Sequence, residues 1–115
     1  MTDKIIVFST CSSREEAERI ARALVEGRLA ACVNLIDSVR SVYHWQGKLE
    51  ESQEVLLVIK SRRGLFDKLR ERLSLMHTYE VPEAIALPVV DGLPAYLEWM
   101  DRELESPDTN KGVEP

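Results

Sequence analysis

Residues 28–60 run RLAACVNLIDSVRSVYHWQGKLEESQEVLLVIK and read as two long strands joined by a tight turn. Val, Ile, Tyr and Trp recur at alternate positions, as a pleated ribbon with two different faces requires. Gln46-Gly47 supplies a two-residue loop whose second residue takes positive φ. Counting outward from that loop pairs Trp45 with Lys48, Tyr43 with Glu50, Val39 with Glu54 and Leu35 with Val58, so each arm is about fifteen residues long. At roughly 3.3 Å per residue an arm spans about 50 Å. A domain of this length has a radius of gyration of about 13 to 14 Å and a body roughly 35 Å across, so the hairpin overhangs its own domain. Val55-Leu56-Leu57-Val58-Ile59 is continuously apolar, the pattern of a strand covered on both faces, whereas Leu49-Glu50-Glu51-Ser52-Gln53-Glu54 is nearly all polar. The root is core and the tip is not. A bare two-stranded tip carrying Tyr43, His44 and Trp45 is marginal in water, and another copy of the chain lying against it is the simplest cover.

Outward from the hairpin, the upstream segment Ile5-Ile6-Val7-Phe8 is an apolar run too short for a helix and rich in β-branched residues, which predicts a central strand. Ser13 stands three residues before Glu16, the spacing of a capping box. Ala17, Ile20, Ala21, Leu24 and Val25 then form one apolar stripe of a helix, which Gly27 ends in the left-handed C′ position. Downstream, Arg62-Arg63 reads as a solvated strand end. Leu65, Phe66, Leu69, Leu73 and Met76 fall at the spacing of a second helix. The stretch His77-Thr78-Tyr79-Glu80-Val81-Pro82 has no periodicity, and Pro82 pushes its predecessor out of the helical region. Glu83 to Val90 predicts a last strand, placed at an edge because Pro88 lacks the N–H a central strand must donate. Asp91-Gly92 turns the chain, and Pro94 opens a terminal helix carrying Leu97, Met100 and Leu104. From Glu105 onward the pattern is polar and aperiodic, so residues 105–115 are expected to be a disordered tail and residues 1–104 one domain. The order β-α-β-β-α-β plus a terminal helix is that of an α+β, ferredoxin-like sandwich. Its open sheet face needs a cover, which sister copies in a trimer would supply.

A chain of 115 residues holds a single packed core. Its net charge of −5 argues against nucleic acid, whose affinity comes from neutralising phosphates with Lys and Arg. No apolar run approaches the ~20 residues of a membrane span, so no membrane role is expected. Met1-Thr2-Asp3-Lys4 leads into a strand rather than a signal-peptide core, which points to the cytoplasm. Cys11 and Cys32 stand at unrelated spacing, suggesting neither a disulfide framework nor a zinc knuckle. No GxSxG, P-loop or HExxH pattern is present, and a Cys-His nucleophile would need Cys11 or Cys32 beside His77 or His44. The chain is therefore not expected to be an enzyme.

The blocks Ala30-Ala31-Cys32-Val33-Asn34-Leu35-Ile36, Ser41-Val42-Tyr43-His44-Trp45-Gln46-Gly47-Lys48, Glu54 through Lys60, His77-Thr78-Tyr79-Glu80-Val81-Pro82-Glu83 and Tyr96-Leu97-Glu98-Trp99 resemble, in order and spacing, the CutA proteins, or divalent-ion tolerance proteins, from Ile5 to Leu104. The resemblance implies a homotrimer of ferredoxin-like units with interlocking hairpins, an architecture similar to the PII signalling proteins. It implies a role in the response to divalent metal ions, copper above all, by binding rather than catalysis, with no obligatory cofactor. Animal relatives are associated with anchoring acetylcholinesterase.

Some bacterial members look like copper binders that use a first-strand thiolate with a histidine and an acidic residue near the last strand. The matching first-strand position here is Ser9. Cys11 lies two residues on, on the same face and about 6 to 7 Å further along the strand, with His77 and Glu83 available and Met76 in place of a second histidine. Cys11, His77 and Glu83 would make a soft site for copper or another divalent metal if the fold joins them; otherwise Cys11 is a packing residue and His77 a helix-terminal one. Lys60 ends the central strand. It reads either as the anion-binding group of a cleft between subunits walled by Tyr43, Trp45, Tyr79 and Trp99, taking a small anion or nucleotide as PII-like modules do, or as a snorkelling lysine paired with Glu80 or Glu83.

Overall fold

The computed structural model describes residues 1–105. In chain order it contains β1 (Lys4–Cys11), α1 (Arg14–Glu26), β2 (Cys32–Trp45), β3 (Lys48–Arg62), a 3-10 turn (Arg63–Leu65), α2 (Phe66–Met76), β4 (Ile85–Pro88) and α3 (Pro94–Glu103). The strands form one antiparallel sheet in the order β2-β3-β1-β4. The two most apolar strands are central and the Pro88 strand is at an edge, where the missing proline N–H costs no ladder bond. The last strand is shorter than Glu83 to Val90, covering Ile85–Pro88.

The hairpin arms are 14 and 15 residues long, and Trp45–Lys48, Tyr43–Glu50 and Val39–Glu54 are paired as the turn predicts. Both loop residues take positive φ, 53° at Gln46 and 81° at Gly47, as the type I′ turn that matches strand twist requires. Beyond Val39 the register departs from the count. An extra residue is accommodated between Ile36 and Val39, so Leu35 lies opposite Leu57 rather than Val58. Ser38 absorbs the irregularity at φ 63°, a β-bulge without a glycine. The overhang lengthens the molecule to 50 × 32 × 24 Å and raises its radius of gyration to 15.2 Å.

Strand alternation sorts the side chains. Val7 and Ser9 of β1 and Leu57, Ile59 and Ser61 of β3 are fully buried, packed beneath Ala17, Ile20 and Leu24 of α1 and Leu69 and Leu73 of α2. The residues between them face the other way. The β3 segment expected to be covered on both faces is covered on one: Leu56 and Val58 remain half-exposed. They share their face with Phe8, Ile36, Ile85 and Leu87, of which the last three are 47%, 55% and 42% exposed.

α3 closes one end of this open face. Its Asp101 receives Lys4 Nζ at 2.8 Å and Arg62 at 2.9 Å, so Arg62 is buried rather than a solvated strand end. Lys4 is the ladder partner of Arg62, and one carboxylate answers two adjacent cations. Burial works against the charge on Lys4, but hydrogen bonds to Asp101 and Asp3 outweigh it and raise its pKa.

At the end of α1 the left-handed residue is Arg28, at φ 61°, while Gly27 sits at −82°. Val25, placed on the inner stripe, is exposed. Glu105 is held, its N–H bonding Arg28 O at 2.8 Å and its carboxylate Lys68 at 2.9 Å. The rest of the expected tail lies outside the described residues.

Candidate functional site

The loop between α2 and β4 is pinned against the end of β1 by two buried side chains. The helix periodicity that carries Ile20 and Leu24 to the interior carries Glu16, four residues before Ile20, to the same face, where it is 3% exposed. Ser13 caps α1, its hydroxyl accepting Glu16 N–H at 3.1 Å. The glutamate does not return the bond to Ser13 as a capping box would. Its Oε1 takes the backbone N–H and hydroxyl of Ser12 at 3.3 and 3.2 Å, and its Oε2 crosses to the Thr78 N–H at 2.7 Å. Burial opposes ionisation of Glu16, yet the Thr78 backbone and side chain, His77 and Ser12 together hold its pKa below the ordinary value.

His77 stands beside it, Nδ1 3.4 Å from Glu16 Oε2. Its Nε2 lies 2.7 Å from Thr10 O and its Nδ1 accepts the Tyr79 N–H at 3.1 Å. A carbonyl only accepts, so Nε2 carries the proton and both ring nitrogens are committed.

Tyr79 continues the chain of contacts. Its hydroxyl donates to Glu54 Oε2 at 2.5 Å, and the other oxygen of Glu54 accepts from Ser41 at 2.6 Å. Burial, then the hydrogen bond and charge of Glu54, push the Tyr79 phenol well above its ordinary pKa. Between this loop and the hairpin lies a cavity of about 540 Å³ lined by Thr10, Ser41, Val42, Tyr43, Trp45, Glu54, Thr78, Tyr79, Glu80, Val81 and Glu83. The size is that of a small-molecule site. The lining holds three aromatic rings, three carboxylates and no Lys or Arg.

Within one chain the residues expected to wall an inter-subunit cleft fall into two groups. Tyr43, Trp45 and Tyr79 wall the cavity, while Lys60 and Trp99 do not. Lys60 Nζ lies 5.6 Å from the ring centroid of Tyr96 and 3.5 Å from its hydroxyl, and Tyr96 stacks on Trp99 at 5.3 Å. Lys60 makes neither of the expected pairs with Glu80 or Glu83; it rests on α3 instead.

The metal set divides as well. Glu83 lines the cavity and His77 is adjacent, but Cys11 is fully buried among the helix-facing residues. Thr10, its neighbour in β1, points into the cavity in its place. Among the described residues no three His, Cys, Asp or Glu side chains come together as a metal cluster. Burial, then Glu16 and Glu54, push the Cys11 thiol up to about 12. Cys11 is thus expected to resist thiol reagents at neutral pH in the folded protein and to react on denaturation, read by mass spectrometry; labelling of Cys11 in the native state would show that β1 opens.

Two residues that shape this site escape the sequence reading, and the first is Glu16, expected there only as the capping-box partner of Ser13. Its signal was its spacing from Ile20 and Leu24, which puts a carboxylate on an interior stripe. The other is Glu54, a carboxylate at the start of an apolar run.

A sequence profile described as CutA1 divalent ion tolerance protein matches residues 5–103. Protein CutA of Mus musculus is 52% identical over 99 residues, 86% of this chain and 56% of that protein, so the chain spans just over half the length of this relative. The divalent-cation tolerance protein CutA of Thermus thermophilus is 48% identical over 95 residues, 83% of this chain and 92% of that one. Among solved structures, CutA from Xylella fastidiosa superposes with a TM-score of 0.88 at 44% identity, covering 90% of this chain and all of that one (100%). The Thermus thermophilus divalent cation tolerance protein superposes at 0.87 and 45%, covering 89% and 99%. Those solved structures share this chain's mixed α+β architecture. The chain belongs to the CutA1 divalent ion tolerance family.

Proposed function

We propose that the chain serves divalent-cation tolerance by binding rather than catalysis, as a homotrimer of ferredoxin-like units, with the cleft between the hairpin and residues 77–83 as the place where the cation meets the protein. The observation that supports this is the lining: Glu54, Glu80 and Glu83 with the hydroxyls of Thr10, Ser41, Tyr43, Thr78 and Tyr79, and no basic side chain. Oxygen donors suit hard divalent cations, and copper(II) accepts oxygen and nitrogen ligands, whereas a thiolate site for copper(I) would need Cys11 to turn out of the core. The same carboxylates repel an anion, so the small-anion reading of the cleft loses its support. On one chain the carboxylates do not converge; a neighbouring copy completes the shell. The uncovered apolar sheet face supports that assembly, and free Cys11 and Cys32 suit the reducing cytoplasm.

Calorimetric titration of metal-stripped protein with copper(II), zinc(II) and magnesium tests the reading. Saturable heat is expected with at least one cation, weakened about tenfold or more by Glu80→Gln with Glu83→Gln, since each lost charged contact contributes about 1.5 to 3 kcal/mol and 1.4 kcal/mol is a factor of ten. Absence of heat at high-micromolar metal refutes it.

A further inference from the structure

We propose that Glu16, which does not touch the cleft, is its positioning residue: the buried carboxylate holds the loop that carries Tyr79, Glu80 and Glu83 in the conformation that closes the cavity against the hairpin. This rests on the reading of the cleft as the functional site but does not depend on which cation enters it.

The geometry leaves the loop few other anchors. Residues 77–84 belong to no helix or strand, and a segment without a ladder of its own keeps its shape only through the bonds it makes outward. Three of these form a continuous line. Glu16 Oε2 takes the Thr78 N–H at 2.7 Å, His77 spans from Thr10 O to the Tyr79 N–H, and the Tyr79 hydroxyl reaches Glu54 at 2.5 Å. Glu16 is the origin of this line, because α1 and Ser12 fix it from behind. Among the described residues it is the only partner that accepts a backbone N–H of the loop with a charged oxygen, and charge-assisted bonds are roughly twice as strong as neutral ones.

A carboxylate in an apolar helix stripe has no role in the core itself. Its neighbours Ala17, Ile20 and Leu24 are fully buried hydrophobics, and an alanine at position 16 would suit the helix better. What the charge secures is the loop, and through Tyr79 and Glu54 the root of the hairpin. The N-terminus of α1, the cleft and the overhanging ribbon are thereby linked in one hydrogen-bonded path.

Site-resolved amide exchange on the full chain, with no cation present, tests this separately from the cation reading. In Glu16→Ala the amides of Thr78 and Tyr79 are expected to exchange about tenfold faster or more, while those of Leu57 and Ile59 in β3 keep their rates. Trp45 emission is expected to shift as the cavity loosens. Glu16→Gln keeps a neutral carbonyl oxygen for Thr78 but loses the charge and turns an NH2 donor toward the Ser12 N–H, so it should restore Thr78 protection only in part. Should Glu16→Ala not fold, Glu16→Asp retains the charge but falls one methylene short, and the same acceleration at Thr78 is expected. Uniform acceleration across Thr78, Leu57 and Ile59, or no acceleration at Thr78, overturns the proposal. Acceleration confined to Thr78 and Tyr79 in Glu16→Ala, with no cation heat from the unsubstituted protein, would instead remove the cation reading and leave the role of Glu16 standing.

Discussion

Aspartate in place of Val58 is expected to leave the protein monomeric at low-micromolar concentration, where the assembly proposed above predicts that the unsubstituted chain sediments as a trimer. Val58 lies at the middle of β3, opposite Phe8 on one side and Asn34 on the other, on the sheet face that the helices do not cover. In the isolated protomer that position is half-exposed, so a carboxylate there stays hydrated and the fold survives. In an assembly that covers the face, the same carboxylate is buried without a partner. An unpaired buried charge costs several kcal/mol, about 3 to 5 when a pair is broken, and each 1.4 kcal/mol is a factor of ten in association, so the loss is about a hundredfold to several thousandfold per contact. Sedimentation equilibrium reads the outcome, and unchanged far-UV circular dichroism shows that the protomer is intact. A V58D protein that is still trimeric at low-micromolar concentration would place the interface elsewhere.

Acid should produce the second large effect. Glu16 is held below its ordinary 4.5 because hydrogen bonds from Thr78 and Ser12 and the nearby His77 outweigh its burial. Asp101 is held below 3.8 chiefly by its hydrogen bond from Lys4, with burial opposing and Arg62 assisting. In both cases the unfolded chain takes up its proton at higher pH than the folded one. The stabilisation is therefore complete above the unfolded values and is lost as pH falls through them toward the folded ones. Urea midpoints should be flat from neutrality to about pH 5 and then fall steeply toward about pH 3. Glu16→Gln should lower stability at neutral pH by about 1 to 2 kcal/mol and flatten the acid limb, because one titrating group is gone. Parallel profiles for the two proteins would mean that Glu16 is not a source of the acid sensitivity.

The hairpin was legible because its information is local. Alternating β-branched and aromatic residues, a Gln-Gly loop and a change from polar to apolar along one arm place Trp45 against Lys48 and the overhang at the tip. The central strands were legible for the same reason, and Pro88 marked its edge. What escaped depends on contacts remote in sequence or on backbone states without a residue signature. Ser38 and Arg28 take left-handed φ where no glycine announces it, which displaced Leu35 by one position and moved the end of α1 off Gly27. Arg62 has no local sign of burial, because the carboxylate that neutralises it, Asp101, lies 39 residues away.

The candidate site was half legible. Tyr43, Trp45, Tyr79 and Glu83 do converge, since the hairpin and the aperiodic loop could be recognised. Lys60 and Trp99 were assigned to the same cleft on chemistry alone, and α3 draws them to the far end of the sheet. Cys11 was correctly placed on the face of Ser9, but that face is the one the helices cover.

The irregularity at Asp37 and Ser38 has a consequence for the ribbon as a whole. Side chains on a strand change sides at every residue, so one surplus residue inverts the phase of everything beyond it. With an unbroken ladder, Ser38, Arg40, Val42 and His44 would share a side with Glu54. The inserted residue hands that side to Val39, Ser41, Tyr43 and Trp45 instead, the first opposite Glu54 in the ladder and the other three lining the cavity. A single left-handed serine thus chooses which alternate set of the outer arm, the aromatic one or the basic and imidazole one, shares the side of Glu54 and Tyr79, with Val42 alone of the other set also at the cavity wall.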